Sequence, residues 1–129
     1  MTNNVPRLAV LDDEVQMRKA LSRLLRSCGF EVETYSYGEE LIAAVAVNCP
    51  DCLVLDLHMP GMMGFDVLKA FAERDIKIPV IVITGHDEPH NAGRVLALGA
   101  CAYLTKPIDE TCLLAAIARA TATPPAAER

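Results

Sequence analysis

Tryptophan is absent from this 129-residue chain, and three Phe and three Tyr are its only other large aromatics. With 52% of residues hydrophobic and only 5% aromatic, any core must be assembled from Val, Ile, Leu, Ala and Cys. That apolar content excludes disorder over most of the length. No apolar run approaches the ~20 residues of a membrane-spanning helix, so no membrane contact is expected. Cationic side chains are in short supply. Twelve Lys and Arg against 17 Asp and Glu give a formal charge of −5, the wrong sign for neutralising nucleic-acid phosphates. The start, Met-Thr-Asn-Asn-Val-Pro, lacks the basic flank and apolar stretch of a signal peptide. Five cysteines, an odd count, with no targeting segment, point to reduced thiols in a cytoplasm. Neither G-x-G-x-x-G nor G-x-x-x-x-G-K-[ST] occurs, so a nucleotide-binding loop has no support.

What remains is a series of short apolar runs separated by helix-like sequence. Strand 1 is expected over Arg7 to Leu11; Val15, Leu21, Leu24, Leu25 and Cys28 follow at helical spacing, and Gly29 stops that helix. Phe30 to Tyr35 alternates apolar and charged residues, the pattern of a half-exposed strand at a sheet edge. Ser36 and Glu39 read as a capping box opening a helix to about Val47. Asp51 to Asp56 and Pro79 to Thr84 are continuous apolar runs, as in strands covered on both faces. Between them a helix carries Phe65, Leu68 and Phe71 after a Gly61/Gly64 loop. A fourth helix is expected from about Glu88 to Leu98, capped by Asp87, with Gly99 past its end. Cys101 to Leu104 is the last strand, and a fifth helix carries Leu113, Leu114 and Ile117.

Five strands alternating with five helices predict an α/β fold, a doubly wound parallel sheet with helices on both faces. With strand 2 at an edge, the order is the flavodoxin-like 2-1-3-4-5. Ligands in such sheets bind beyond the carboxyl ends of the strands, at the switch point between strands 1 and 3. Four of these strand ends carry Asp12 and Asp13, Asp56, Thr84 and Lys106. Like charges forced together at ~4 Å cost about 4 kcal/mol at an effective dielectric of ~20. A hard cation such as Mg2+ relieves that cost and keeps open positions for phosphoryl oxygens. Lys106 adds a point charge, Thr84 a hydroxyl, and Gly85 leaves room for an incoming group. The inventory suits phosphoryl transfer, with a carboxylate as nucleophile.

On V-L-D-D-E (Val10 to Glu14), L-D-L-H-M-P-G-M-M-G (Leu55 to Gly64), I-T-G-H (Ile83 to His86) and G-A-C-A-Y-L-T-K-P (Gly99 to Pro107), the chain resembles a two-component response-regulator receiver domain of the chemotaxis type. The likeness covers about residues 7 to 121. It implies that Asp56 is the phosphoacceptor, taking a phosphoryl group from the phosphohistidine of a histidine kinase or phosphotransfer protein. It implies Mg2+ bound directly by Asp13, Asp56 and the backbone carbonyl of His58, with Asp12 acting through water. Lys106 contacts the phosphoryl group, and its bond to Pro107 is expected to be cis. The same resemblance implies a switch of Thr84 and Tyr103, in which the one is expected to move to the phosphoryl oxygen and the other to turn inward. The helix 4–strand 5–helix 5 surface then changes for a downstream partner. His58, Gly85, His86 and Pro107 are expected at the site rim, with the two histidines tuning phosphoryl lifetime. On this reading the protein is a switch rather than an enzyme, although it assists its own phosphorylation and dephosphorylation.

Other features are weaker. Cys49-Pro50-Asp51-Cys52 has redox spacing, but sits between a helix end and a strand rather than at a helix N-terminus, and Cys52 is expected to face the core. Cys28, Cys101 and Cys112 read as small core residues, and His90 as exposed. Gly93 inside helix 4 and Pro89 in its first turn make that helix marginal. A single domain is expected over residues 1–121, with 122–129 a disordered Pro/Ala tail or the start of a linker. The faces of helices 1 and 4 are candidates for pairing into a homodimer, and no pattern chooses between them. Two alternatives stand beside the switch: an aspartyl-phosphate phosphohydrolase, disfavoured because its carboxylates are usually D-x-D on one strand, and a docking module independent of phosphorylation.

Overall fold

The computed structural model describes residues 5–122; the expectations for the N-terminus and for the Pro/Ala tail fall almost wholly outside them. Ten elements alternate without exception: β1 (Arg7–Leu11), α1 (Val15–Ser27), β2 (Glu31–Tyr35), α2 (Gly38–Val47), β3 (Cys52–Asp56), α3 (Gly64–Glu73), β4 (Val80–Thr84), α4 (Asn91–Ala97), β5 (Ala102–Thr105) and α5 (Glu110–Thr121). The five strands form one parallel sheet in the order β2-β1-β3-β4-β5, as the patterning predicts.

Strand periodicity divides the core into two layers. Ala9, Leu11, Leu53, Leu55, Val80 and Val82 point to one face, where they meet Leu41, Ile42 and Val45 of α2, Phe65, Val67, Leu68 and Phe71 of α3, and Val95 of α4. Leu8, Val10, Val32, Cys52, Val54, Ile81 and Ile83 point the other way, onto Leu21 and Leu25 of α1 and Leu113, Ala116 and Ile117 of α5. Every residue of β3 and β4 is buried. Each such aliphatic side chain contributes about 1.5–3 kcal/mol, so the ends of these two strands are held from both sides. Among the described residues no helix is long and apolar enough to cross a membrane.

Several local expectations give way to tertiary contacts. The Ser36/Glu39 capping box does not form. Tyr37 is the N-cap of α2 and has no side-chain cap bond. Gly38, the first residue of α2, lies against the β3–α3 loop, where a Cβ would come 2.5 Å from Met62 Sδ. Helix α4 begins at Asn91, three residues later than predicted, with His90 in the left-handed region at φ 75°. Asp87 does not cap it, because its carboxylate accepts the Tyr103 hydroxyl at 2.9 Å. Cys28, Cys101 and Cys112 are exposed rather than in the core; Cys52 is the buried thiol, and burial pushes it up to about 12. A Cβ on Gly93 would meet nothing within 4 Å, so close helix packing is not the role of this glycine.

A carboxylate pocket at the strand ends

The β1–α1, β3–α3, β4–α4 and β5–α5 loops meet at the carboxyl edge of the sheet. Asp12 follows β1 directly and is fully buried. It is fixed by its own backbone neighbourhood: Glu14 N–H donates to its Oδ1 at 2.9 Å, and the Arg18 guanidinium donates to its carbonyl at 2.7 Å. Asp56 is the last residue of β3 and only 2% exposed. Just beyond it the chain folds back tightly. Gly64 N–H donates to the Leu57 carbonyl at 2.8 Å, and a Cβ at Gly64 would come 2.9 Å from the Asp56 carbonyl oxygen. Only glycine allows that approach.

Carboxylate oxygens of Asp12, Asp13 and Asp56 lie within 4.8 Å of one another. Lys106, whose bond to Pro107 is cis, reaches into this group from the β5–α5 loop. Its ammonium is 3.2 Å from Asp12, 3.3 Å from Glu14 and 3.6 Å from Asp56. One cation among four acids leaves excess negative charge. Burial, reinforced by the Asp12 charge and by a hydrogen bond with Asp13, pushes the Asp56 carboxyl up to about 7, even though Lys106 opposes the shift. Burial likewise raises Asp12, against the Glu14 amide and Lys106. Burial alone would lower Lys106, but the carboxylates of Asp56 and Asp12 overcome it and raise its pKa.

That charge imbalance is itself a test of fit for a cation. Oxygen-only donors clustered this closely suit a hard divalent ion such as Mg2+, and a raised carboxyl pKa is what the same cluster adopts without one. A cavity of about 230 Å3 opens over the group, lined by Asp13, Glu14, Asp56, His58, Gly85, His86 and Lys106. The expected rim residues His58, Gly85 and His86 are therefore at the cavity. The His58 and His86 rings stand 5.2 Å apart between centroids. A Cβ on Gly85 would be in ordinary contact, 3.7 Å, with the Lys106 stem.

Thr84, at the end of β4, is fully buried. Its hydroxyl meets His58 Nδ1 at 3.1 Å, accepts from His86 N–H at 3.0 Å and donates to the His86 carbonyl at 3.2 Å. That carbonyl also accepts from the buried Asn91 amide at 3.2 Å. Tyr103 is half-buried in β5 and bonded outward to Asp87. Sequence reasoning missed three participants: Glu14, Arg18 and Asn91. Glu14 could have been found, since it adjoins the acidic pair. Arg18 and Asn91 act on backbone carbonyls, for which the sequence carries no signal.

Comparisons with known proteins agree with this geometry. Residues 8–118 match the family model for the response regulator receiver domain. The chain is 37% identical over 112 residues to nodulation protein W of Bradyrhizobium diazoefficiens, covering 87% of this chain and 49% of that protein. It is 38% identical over 111 residues to the DNA-binding transcriptional regulator NtrC of Salmonella typhimurium, covering 86% and 24% respectively. The chain thus spans half or less of these relatives. Its fold superposes on chemotaxis protein CheY4 of Vibrio cholerae with a TM-score of 0.83 at 29% identity, covering 91% of this chain and 99% of that one.

Proposed function

The chain belongs to the response regulator receiver domain family, and on that premise we propose that it is a two-component signalling switch whose phosphoacceptor is Asp56. The observation that carries the reading is the convergence of three carboxylates within 4.8 Å beside one ammonium, on a strand end that the core holds fixed. Asp13, Asp56 and the His58 carbonyl would hold Mg2+, with Asp12 acting through water. The ion, when bound, offsets the carboxylate charge and that of the phosphoryl oxygens.

The chemistry then falls to the chain's own groups. Relieved of its proton, an Asp56 oxygen attacks the phosphorus of a partner's phosphohistidine. A P–O bond forms, the P–N bond breaks, and the imidazole leaves with the bonding electron pair. Glu14 and Asp12 flank Lys106, which neutralises charge on the transferred group. Thr84 supplies a hydrogen bond to a phosphoryl oxygen, and Tyr103 gives up Asp87 to turn inward. The donor is a histidine kinase or phosphotransfer protein. The downstream partner is a protein that reads the α4–β5–α5 surface. The protein's part in catalysis is limited to its own phosphorylation and dephosphorylation, and its place of action is the cytoplasm.

The test is labelling by a small phosphodonor with Mg2+. Wild type takes up acid-stable, base-labile phosphate, and Asp56→Asn does not. Label retained in Asp56→Asn overturns the assignment; steady turnover of a phosphate ester would favour the hydrolase reading instead.

A further inference from the structure

Helix α2 is apolar on more sides than the core uses. Leu41 to Val47 reads Leu-Ile-Ala-Ala-Val-Ala-Val, with no polar side chain. Leu41, Ile42 and Val45 are buried, but Ala43, Ala46 and Val47 face solvent. A helix apolar all round is normally a buried one. The outer faces of α1 and α3 are built differently, with Lys19 and Arg23 on the first and Asp66, Lys69 and Glu73 on the second. Large exposed apolar side chains flank α2 at both ends: Tyr37 is 64% exposed and Val47 88%.

This face is laid out to meet a copy of itself. Glu39, Glu40, Ala43, Ala46 and Val47 are its exposed residues, and they share one side of the helix by their spacing. Their placement is the same in both directions about Ala43: Val47 lies as far beyond it as Glu39 lies before it, and Ala46 as far as Glu40. A twofold axis through Ala43 therefore sets two α2 helices antiparallel, with the contact self-complementary. Alanines at the crossing let the helix axes approach to about 8 Å. Glu39 and Glu40 of one copy then lie over the carboxyl end of the other α2. The cation bonded at that end is Arg7, whose guanidinium donates to Asn48 Oδ1 at 3.3 Å and to the Cys49 carbonyl at 3.1 Å. The acids of each copy thus approach a base of the other, while the exposed alanines and Val47 leave water together.

We propose that the outer face of α2 is a homodimer surface, on which a second copy of this chain docks antiparallel about a twofold axis at Ala43. The pairing uses neither the carboxylate pocket nor the faces of α1 and α4, and it stands apart from the phosphoacceptor reading. A helix of 10 residues is about 15 Å long. Its outer face covers less than the ~800 Å2 per partner of a standard interface, so the dimer is weak and concentration-dependent.

The experiment is sedimentation equilibrium under reducing conditions from about 10 μM to about 1 mM, the range in which so small an interface associates. The wild-type mass climbs toward that of a dimer. Ala43→Glu keeps a good helix former at an exposed site, so its circular dichroism matches wild type. It sets two carboxylates face to face across the axis and raises the dissociation constant more than about tenfold. Cross-linking then locates the contact. In a chain carrying Cys28→Ser, Cys49→Ser, Cys101→Ser and Cys112→Ser, added Ala43→Cys oxidises to a disulfide-linked dimer, whereas Ala20→Cys on α1 and Leu96→Cys on α4 do not. A mixture of Glu39→Cys and Val47→Cys chains couples to the mixed pair in preference to either homodimer, as antiparallel register requires. A chain still monomeric at about 1 mM overturns the proposal. Faster cross-linking at Ala20→Cys or Leu96→Cys overturns it by moving the contact to α1 or α4, and an unchanged dissociation constant in Ala43→Glu removes the axis from α2. Preferential homodimers of Glu39→Cys and of Val47→Cys would make the helices parallel and refute the register.

Discussion

Replacing Asp56 by Asn should stabilise the metal-free protein, and by an amount that grows with pH. Asn is nearly isosteric with a protonated Asp but cannot ionise. In the folded protein Asp56 holds its proton up to about 7, against an ordinary 3.8, mainly because it is buried and secondarily because Asp12 is beside it. The unfolded chain releases that proton first. Between pH 3.8 and about 7 unfolding therefore liberates a proton, and wild-type stability falls as pH rises through that window. At ~1.4 kcal/mol per pH unit, the advantage of Asn is small at pH 4 and grows to about 4 kcal/mol at pH 8, levelling off above pH 7.

Urea unfolding in EDTA at pH 4, 6 and 8, followed by circular dichroism, measures the difference directly. Because only one side chain changes, titrating groups outside the pocket cancel between the two proteins; inside it Asp12 loses a like-charged neighbour and Lys106 a counter-charge, so the difference reports the pocket as a unit. With a urea slope of ~1–3 kcal/mol/M, the midpoints at pH 8 separate by more than about 1 M. Saturating Mg2+ narrows the gap, because the ion removes the repulsion in wild type. A pH-independent difference, or an Asn variant less stable than wild type at pH 8, would refute the charge-repulsion account of this pocket.

Three further outcomes follow from the same geometry. Mg2+ at a hundredfold over its dissociation constant raises wild-type stability by about 2.7 kcal/mol, and Asp13→Asn loses most of that; an equal shift in both by thermal melting removes Asp13 from the ion's shell. Gly64→Ala forces a Cβ to 2.9 Å from backbone atoms of Asp56 and Leu57, so it destabilises by about 1–3 kcal/mol in urea titrations and slows labelling of Asp56. A native-state thiol assay modifies Cys28, Cys49, Cys101 and Cys112 while Cys52, buried and pushed up to about 12, reacts only on unfolding; fast reaction of all five would contradict the packing of β3.

The strands and their order were legible because they follow from composition. β3 and β4, apolar up to their last residues Asp56 and Thr84, can exist only when covered on both faces, and the alternation over Glu31–Tyr35 can exist only at an edge. Asp12, Asp13, Asp56 and Lys106 converge because topology brings those strand ends together, so their meeting was also predictable; Thr84 ends the neighbouring strand with its hydroxyl on His58 and His86. What escaped was local chemistry overruled from a distance. Asp87 looks like a helix cap until Tyr103 takes its carboxylate. Ser36 looks like half of a capping box, but α2 begins one residue later, with Gly38 against Met62. Cysteine's preference for the interior says nothing of Cys28, which ends α1, or Cys112, on the outer side of α5.

The pocket divides into a part that cannot yield and a part that can, and in the proposed switch this division would turn ligand binding into a change of shape. Asp12 and Asp56 stand on strands packed from both faces, so their repulsion cannot be relaxed by spreading the sheet. Relief has to come from proton, cation or ligand. The other side is loosely built: residues 85–90 are exposed, and α4 has only seven residues, with Gly93 open to its surroundings. The two parts meet at the His86 carbonyl, which accepts from both Thr84 and Asn91 at 3.2 Å. If Thr84 turns its hydroxyl toward the cavity, that carbonyl keeps only the Asn91 donor, at the first residue of α4. The helix is further tied to α3 by the Arg94 guanidinium, 3.8 Å above the Phe65 ring, and Asp87 in the same loop is tied to β5 through Tyr103. A displacement of the Thr84 hydroxyl therefore acts on bonds that fix the start of α4 and the loop before it, whereas the buried β3 strand, with no comparable freedom, serves as the fixed frame against which they move.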